Sequence, residues 1–129
     1  MSSYPRANGN HKDANWRFPK GQTVGKCGEV SRIYFNNIYA TSENGCFIGG
    51  DTKDKVRDIY LNNVHLNLKK VTSYDGGVYD KRPCRGEGFI YNKVYGVYVE
   101  QATNVEVDDL KVIADSKINY GGKTFGIDD

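Results

Sequence analysis

The chemistry-bearing residues of this 129-residue sequence fall into four groups: adjacent acids, two histidines, three cysteines, and one densely charged, tyrosine-rich stretch. Asp108-Asp109 and Asp128-Asp129 are the kind of pair that acid–base catalysis uses when two carboxyls face one bond. Asp128-Asp129 ends the sequence, where fraying denies it a fixed geometry. His11 and His65 have no second histidine or cysteine at ligand spacing, so no metal site and no cofactor are expected. Cys27, Cys46 and Cys84 show neither the close pairing of a zinc site nor the density of a disulfide scaffold. Cys46 alternates with Ile48, which suits a buried small hydrophobe. The spacing permits a bridge between Cys27 and Cys84 without requiring one. The stretch Lys69 to Tyr95 carries Tyr74, Asp75, Tyr79, Asp80, Lys81, Arg82, Arg85, Glu87 and Tyr91, and long loops of this kind are either functional or disordered.

What must position these residues is a line of sequence written three times. Val30 to Ala40 sets Ile33, Phe35, Ile38 and Ala40 in fixed places. Val56 to Leu66 repeats them as Ile59, Leu61, Val64 and Leu66, and Ala102 to Val112 as Val105, Val107, Leu110 and Val112. Ile33 and Phe35 alternate as strand residues, but a strict strand would put Ile38 on the wrong face. Asn36-Asn37 must therefore bend the chain, and asparagine suits a bend because it tolerates the left-handed region. Copies stacked about 4.8 Å apart would place Asn37 and Asn63 one above the other, within reach through their amides. In the third copy these places hold Asp108 and Asp109, so the acid pair reads as a turn and not as a catalytic dyad.

A short glycine-opened strand follows each line: Gly45 to Gly49, Gly96 to Glu100, and Gly122 to Ile127. The copies are 26 and then 46 residues apart, the second interval stretched by an insertion at 69–95. Periods in the twenties with strand patterning mean a solenoid, in which each coil buries its face only by stacking on the next. Leucine-rich repeats share that period, but their consensus and helical return are missing. A β-sandwich leaves the repeated Asn-Asn register unexplained. The expected fold is all-β: a single-stranded parallel β-helix of three to four coils over 29–129, with an irregular N-terminal arm over 1–28 that Trp16 and Phe18 pin to a neighbouring surface.

Composition excludes several partners. The net charge is only +2 and the charges are interspersed, so the basic stripe of a nucleic-acid binder is absent. No run of about twenty apolar residues could cross a bilayer, and no secretory leader opens the sequence. Localisation is therefore open from the sequence itself.

The order of the blocks resembles a known family. Val30-x-x-Ile33-x-Phe35-x-Asn37-Ile38, Ser42-Glu43-Asn44-Gly45-Cys46-Phe47-Ile48-Gly49-Gly50, Val56-x-x-Ile59-x-Leu61-x-Asn63-Val64, Tyr79-Asp80-Lys81-Arg82-Pro83 and Tyr95-Gly96-Val97-Tyr98-Val99-Glu100 look like the C-terminal coils of family 28 glycoside hydrolases. These are the polygalacturonases and rhamnogalacturonases, and the likeness is to their bacterial branch. The resemblance implies a right-handed β-helix, a secreted or periplasmic location, and cleavage of galacturonic-acid-containing pectin with inversion. Inversion needs carboxyls about 6.5 to 9.5 Å apart, with a water between them and the scissile bond.

The family's Asn-x-Asp, Asp-Asp, Gly-His-Gly and Arg-x-Lys blocks have no counterpart here. Neither histidine is flanked by glycines, and Arg17-Phe18-Pro19-Lys20 is one residue too long for the basic pair. No catalytic residue is therefore assigned, and the chain reads as the distal coils of a longer enzyme or as a relative without the chemistry. Tyr79, Lys81 and Arg82 are expected to line the rim of a glycan groove, since tyrosine faces stack on sugars and a guanidinium grips a uronic carboxylate. The competing reading pairs Asp80 with Arg82, or uses both to cap backbone groups. The alternatives to a pectinase portion are a non-catalytic glycan-binding β-helix and a structural or assembly piece. In the last, strand edges exposed at both ends would recruit upstream coils or a second copy.

Overall fold

Glycine, asparagine, tyrosine and β-branched residues are abundant in the sequence, and among the described residues the regular elements are all strands. A computed structural model describes residues 2–3, 27–81 and 87–127. The strands are β1 (Ser2–Ser3), β2 (Val30–Ser42), β3 (Cys46–Gly50), β4 (Val56–Leu68), β5 (Val78–Asp80), β6 (Phe89–Tyr91), β7 (Val94–Glu100), β8 (Thr103–Ala114) and β9 (Tyr120–Phe125). Apart from the small β5–β6 hairpin, the chain passes back and forth between two parallel sheets, ordered β2-β4-β8 and β1-β3-β7-β9. Most of the expected N-terminal arm, with Trp16 and Phe18, lies outside the described residues, as do Arg82, Cys84 and Asp128-Asp129. At the start of the arm, Ser2 and Ser3 pair with Gly49 and Gly50.

The three written copies are the three strands of the first sheet. Ile33 pairs with Ile59 and Ile59 with Val105, in parallel and without slippage from one end to the other. Asn37, Asn63 and Asp109 all have φ near +55°, so the expected bend exists and sits on the second residue of each pair. Asn63 Nδ2 donates to Asn37 Oδ1 at 2.8 Å, which is the amide ladder that stacking requires.

A second bend stands five residues earlier, at Arg32, Asp58 and Asn104, again at positive φ. There Asn104 Nδ2 donates to Asp58 Oδ1 at 2.7 Å. Each long strand is thus folded at two corners into three straight segments. Inward side chains follow the pattern 30, then 33 and 35, then 38 and 40.

The core is the space between the two sheets. Val56, Ile59 and Leu68 from β4 and Val94 and Val97 from β7 are completely buried, with Ile48, Val99 and Leu110 close behind. Each such aliphatic side chain contributes roughly 1.5–3 kcal/mol by leaving water. Burial is deepest in β4, which has a neighbour on both sides. In the outer copy β2, Ile33, Phe35 and Ala40 are only half-buried and Ile38 is 37% exposed. Gly45 is required by close approach, since a Cβ there would lie 1.9 Å from the Tyr95 carbonyl oxygen. Cys46 is half-buried at the core's edge, and burial pushes its thiol pKa up. Cys46 carries a free thiol.

Candidate functional site

The interval between the second and third copies holds most of the polar chemistry, and two residues of the Ser42-Glu43-Asn44-Gly45 block hold that interval in place. Glu43 accepts hydrogen bonds from the backbone N–H groups of Val71 and Thr72 and, at 2.8 Å, from the Thr72 hydroxyl. The Lys70 ammonium lies 3.4 Å away. The Thr72 backbone donor, followed by its hydroxyl and the Val71 donor, lowers the Glu43 pKa from 4.5 to about 2. Asn44 accepts from Gly77 N–H at 2.9 Å and donates to the Val78 carbonyl at 3.4 Å. A carboxylate saturated in this way is a structural anchor, because its lone pairs are committed to backbone.

Beyond this anchor the chain forms the β5–β6 hairpin, closed by Lys81 N–H donating to the Gly88 carbonyl at 2.8 Å. The hairpin lays Tyr79 on the outer side of the second sheet. There Phe47, Tyr98 and Phe125 stand in register on β3, β7 and β9. The Tyr79 ring lies 4.5 Å from Tyr98 and 5.6 Å from Phe47. It is 3% exposed. Its hydroxyl oxygen accepts from Tyr95 N–H at 3.3 Å and donates to the Lys93 carbonyl at 3.5 Å. Burial raises its phenol pKa.

The three residues expected to rim a groove therefore have different surroundings. Tyr79 is inside, with neither ring face open to a sugar. Lys81 is half-buried with its ammonium 3.4 Å from Glu100. Arg82 lies outside the described residues.

A different set of side chains meets where the start of the insertion approaches the turn before β9. Lys70, Ser73, Tyr74, Asp75, Lys117 and Asn119 line an open cleft of about 340 Å³. Tyr74 is 80% exposed, which leaves its ring available to a flat partner. The Lys70 ammonium is committed to Glu43 and to the Thr72 carbonyl, so what the cleft offers an anionic, ring-shaped ligand is the Lys117 ammonium beside the exposed Tyr74 phenol. Tyr74 and Asp75 were legible as members of the loaded stretch. Lys117 and Asn119 were not, because they follow the third copy, and only the stacking of that copy on the second brings them to the insertion.

On the outer side of the first sheet, the columns Tyr34, Tyr60, Glu106 and Tyr39, His65, Lys111 are in register. Tyr34 and Tyr60 stack at 4.8 Å and 19°. His65 has Nε2 withdrawn from water and without a hydrogen-bond partner, and the Tyr39 ring leans over it at 4.5 Å. Among the described residues, no three metal-ligating side chains gather. Glu43 and Asp54 both have lowered pKa values, Asp54 chiefly through the Thr52 hydroxyl. A proton-donating catalytic acid needs the opposite shift, so neither of these two carboxyls is suited to that role.

No family model, no curated protein and no solved structure matches the chain.

Proposed function

We propose that the chain is a right-handed parallel β-helix of three to four coils, the C-terminal portion of a polygalacturonase-like glycoside hydrolase. It holds pectin-type chains without cleaving them itself. The observation that carries this reading is the unbroken parallel register of three copies, Val30 over Val56 and Ile59 over Val105. A single chain passing alternately through two such sheets winds as a coil. Two further features support it. The Ser-Glu-Asn-Gly block serves as an anchor for the loaded insertion, which gives a physical reason for its place between copies. The cleft bearing Tyr74 and Lys117 offers an aromatic face and a cation suited to a uronate.

The test separates binding from turnover. The chain incubated with polygalacturonate is expected to release no reducing ends above the blank, while oligogalacturonides bind it. Lys117→Ala and Tyr74→Ala are each expected to weaken that affinity several-fold, and Arg82→Ala serves as the comparison for a groove on the hairpin side. Reducing-end release by the chain alone would contradict the non-catalytic assignment. Equal binding of a neutral glucan would remove the pectin assignment.

A second reading, a structural or assembly β-helix, is favoured by the half-buried core residues of β2.

A further inference from the structure

Among the described residues, both ends of the apolar space between the sheets are hollows lined by the same residue columns. At the β2 end, Phe35 and Ile38 line a hollow of about 300 Å³; at the β8 end, Val107 and Leu110 line one of about 540 Å³. Among the described residues, β2 and β8 are the outer strands of their sheet. They have matching shape, since each carries positive-φ corners at the same two places: Arg32 and Asn37 on β2, Asn104 and Asp109 on β8.

We propose that a second copy of this chain docks end to end, its β2 edge on the β8 edge of the first, in the register that already relates β2 to β4 and β4 to β8. Ile33 of one copy then lies over Val105 of the other, Phe35 over Val107 and Ile38 over Leu110, so each hollow is filled by the residues it was shaped around. The contact is heterologous and does not close on itself, so it grows into open stacks.

Hydrogen-bonding polarity argues for a copy as the occupant. In both ladders the upper residue donates and the lower one accepts: Asn63 Nδ2 to Asn37 Oδ1, and Asn104 Nδ2 to Asp58 Oδ1. At the β8 end the corner residues present acceptors, the Asp109 carboxylate and the Asn104 carbonyl oxygen. At the β2 end they present donors, the Asn37 amide and the Arg32 guanidinium. Docking sets Asn37 over Asp109 and Arg32 over Asn104, which continues both ladders in the same direction. The outward column also continues, with the Tyr39 ring over the Lys111 ammonium, a cation–π arrangement.

The experiment is sedimentation velocity of the full chain over a wide concentration range, with Asn37→Asp as the variant. An aspartate at 37 still accepts the Asn63 amide within its own chain, but it opposes Asp109 of the next copy. The unmodified chain is expected to form a concentration-dependent ladder of species without a closed end-point. Asn37→Asp is expected to weaken association at least about tenfold, and Asn37→Asp with Asp109→Asn to restore it, because donor and acceptor are then exchanged across the contact. A strict monomer at all concentrations, a dimer that grows no further, or an Asn37→Asp chain that associates as strongly as the unmodified one would each overturn the proposal. The unmodified chain is read independently, so the outcome does not hang on the variant folding.

Discussion

At the scale of single residues, the corners decide whether the copies stack, and they discriminate sharply between neighbours in sequence. Asn62 and Asn63 are adjacent and identical, yet only Asn63 has φ at +56° and only its amide donates to Asn37. A left-handed conformation costs an ordinary L-residue roughly 1–2 kcal/mol. Asn63→Ala is therefore expected to lower unfolding free energy by about 1–2 kcal/mol, whereas Asn62→Ala changes it by less than about 0.5 kcal/mol. Urea denaturation of the two variants checks this, and equal losses would contradict the corner assignment.

Glu43 makes a second residue-scale prediction. Its folded pKa of about 2 lies below its ordinary 4.5. Its contribution to stability is thus fully present above about pH 4.5 and is lost as pH falls toward 2. Asp54 shifts in the same direction, so the comparison must be with Glu43→Gln. The unmodified chain is expected to exceed that variant in urea midpoint at pH 6, and the gap is expected to narrow steadily down to pH 2.5. A gap that does not change with pH would show that the anchor does not depend on the carboxylate's charge.

At the scale of elements, the insertion is a covering piece as much as a loop. Tyr79 fastens the hairpin over Phe47 and Tyr98, and truncating a buried aromatic side chain costs about 3–5 kcal/mol. Tyr79→Ala is expected to destabilise by an amount in that range and to uncover the aromatic row. Tyr79→Phe should cost less than about 1.5 kcal/mol, since its two hydroxyl bonds are long. Thermal melts and near-ultraviolet dichroism of both variants test this. A small effect of Tyr79→Ala would mean that the hairpin is held by something other than its ring.

The same elements show what the sequence made legible. The three long strands, their register and the Asn37 corner followed from apolar spacing together with the repeated asparagine pair, because an extra residue in a period of two must be taken up by a bend if both flanks are to face inward. The second corner was missed, although Val30-x-x-Ile33 carries the same gap as Phe35-x-x-Ile38. Its residues, Arg32, Asp58 and Asn104, share no type, and identity had drawn attention to the asparagines. The hairpin and the burial of Tyr79 were not legible, because a three-residue strand leaves no period and its partner surface comes from other strands, β3 and β7. Lys117 entered the cleft through stacking, a long-range contact that local pattern does not encode.

At the scale of the whole molecule, a stack in which each copy touches only its neighbours should not be uniformly stable. β4 has partners on both sides and holds three completely buried residues, while Ile38 of β2 is 37% exposed. Amide hydrogen exchange is therefore expected to be slowest in β4 and faster in β2 and β8, with exchange opening the stack from its ends. Dilution sharpens the argument. If copies dock end to end, the protection of β2 and β8 must rise with protein concentration while that of β4 stays nearly constant, because only the outer edges gain a partner. Exchange that is equally slow in all three strands at low concentration would mean that the chain unfolds as one cooperative unit, and the nearest-neighbour account of its stability would fail.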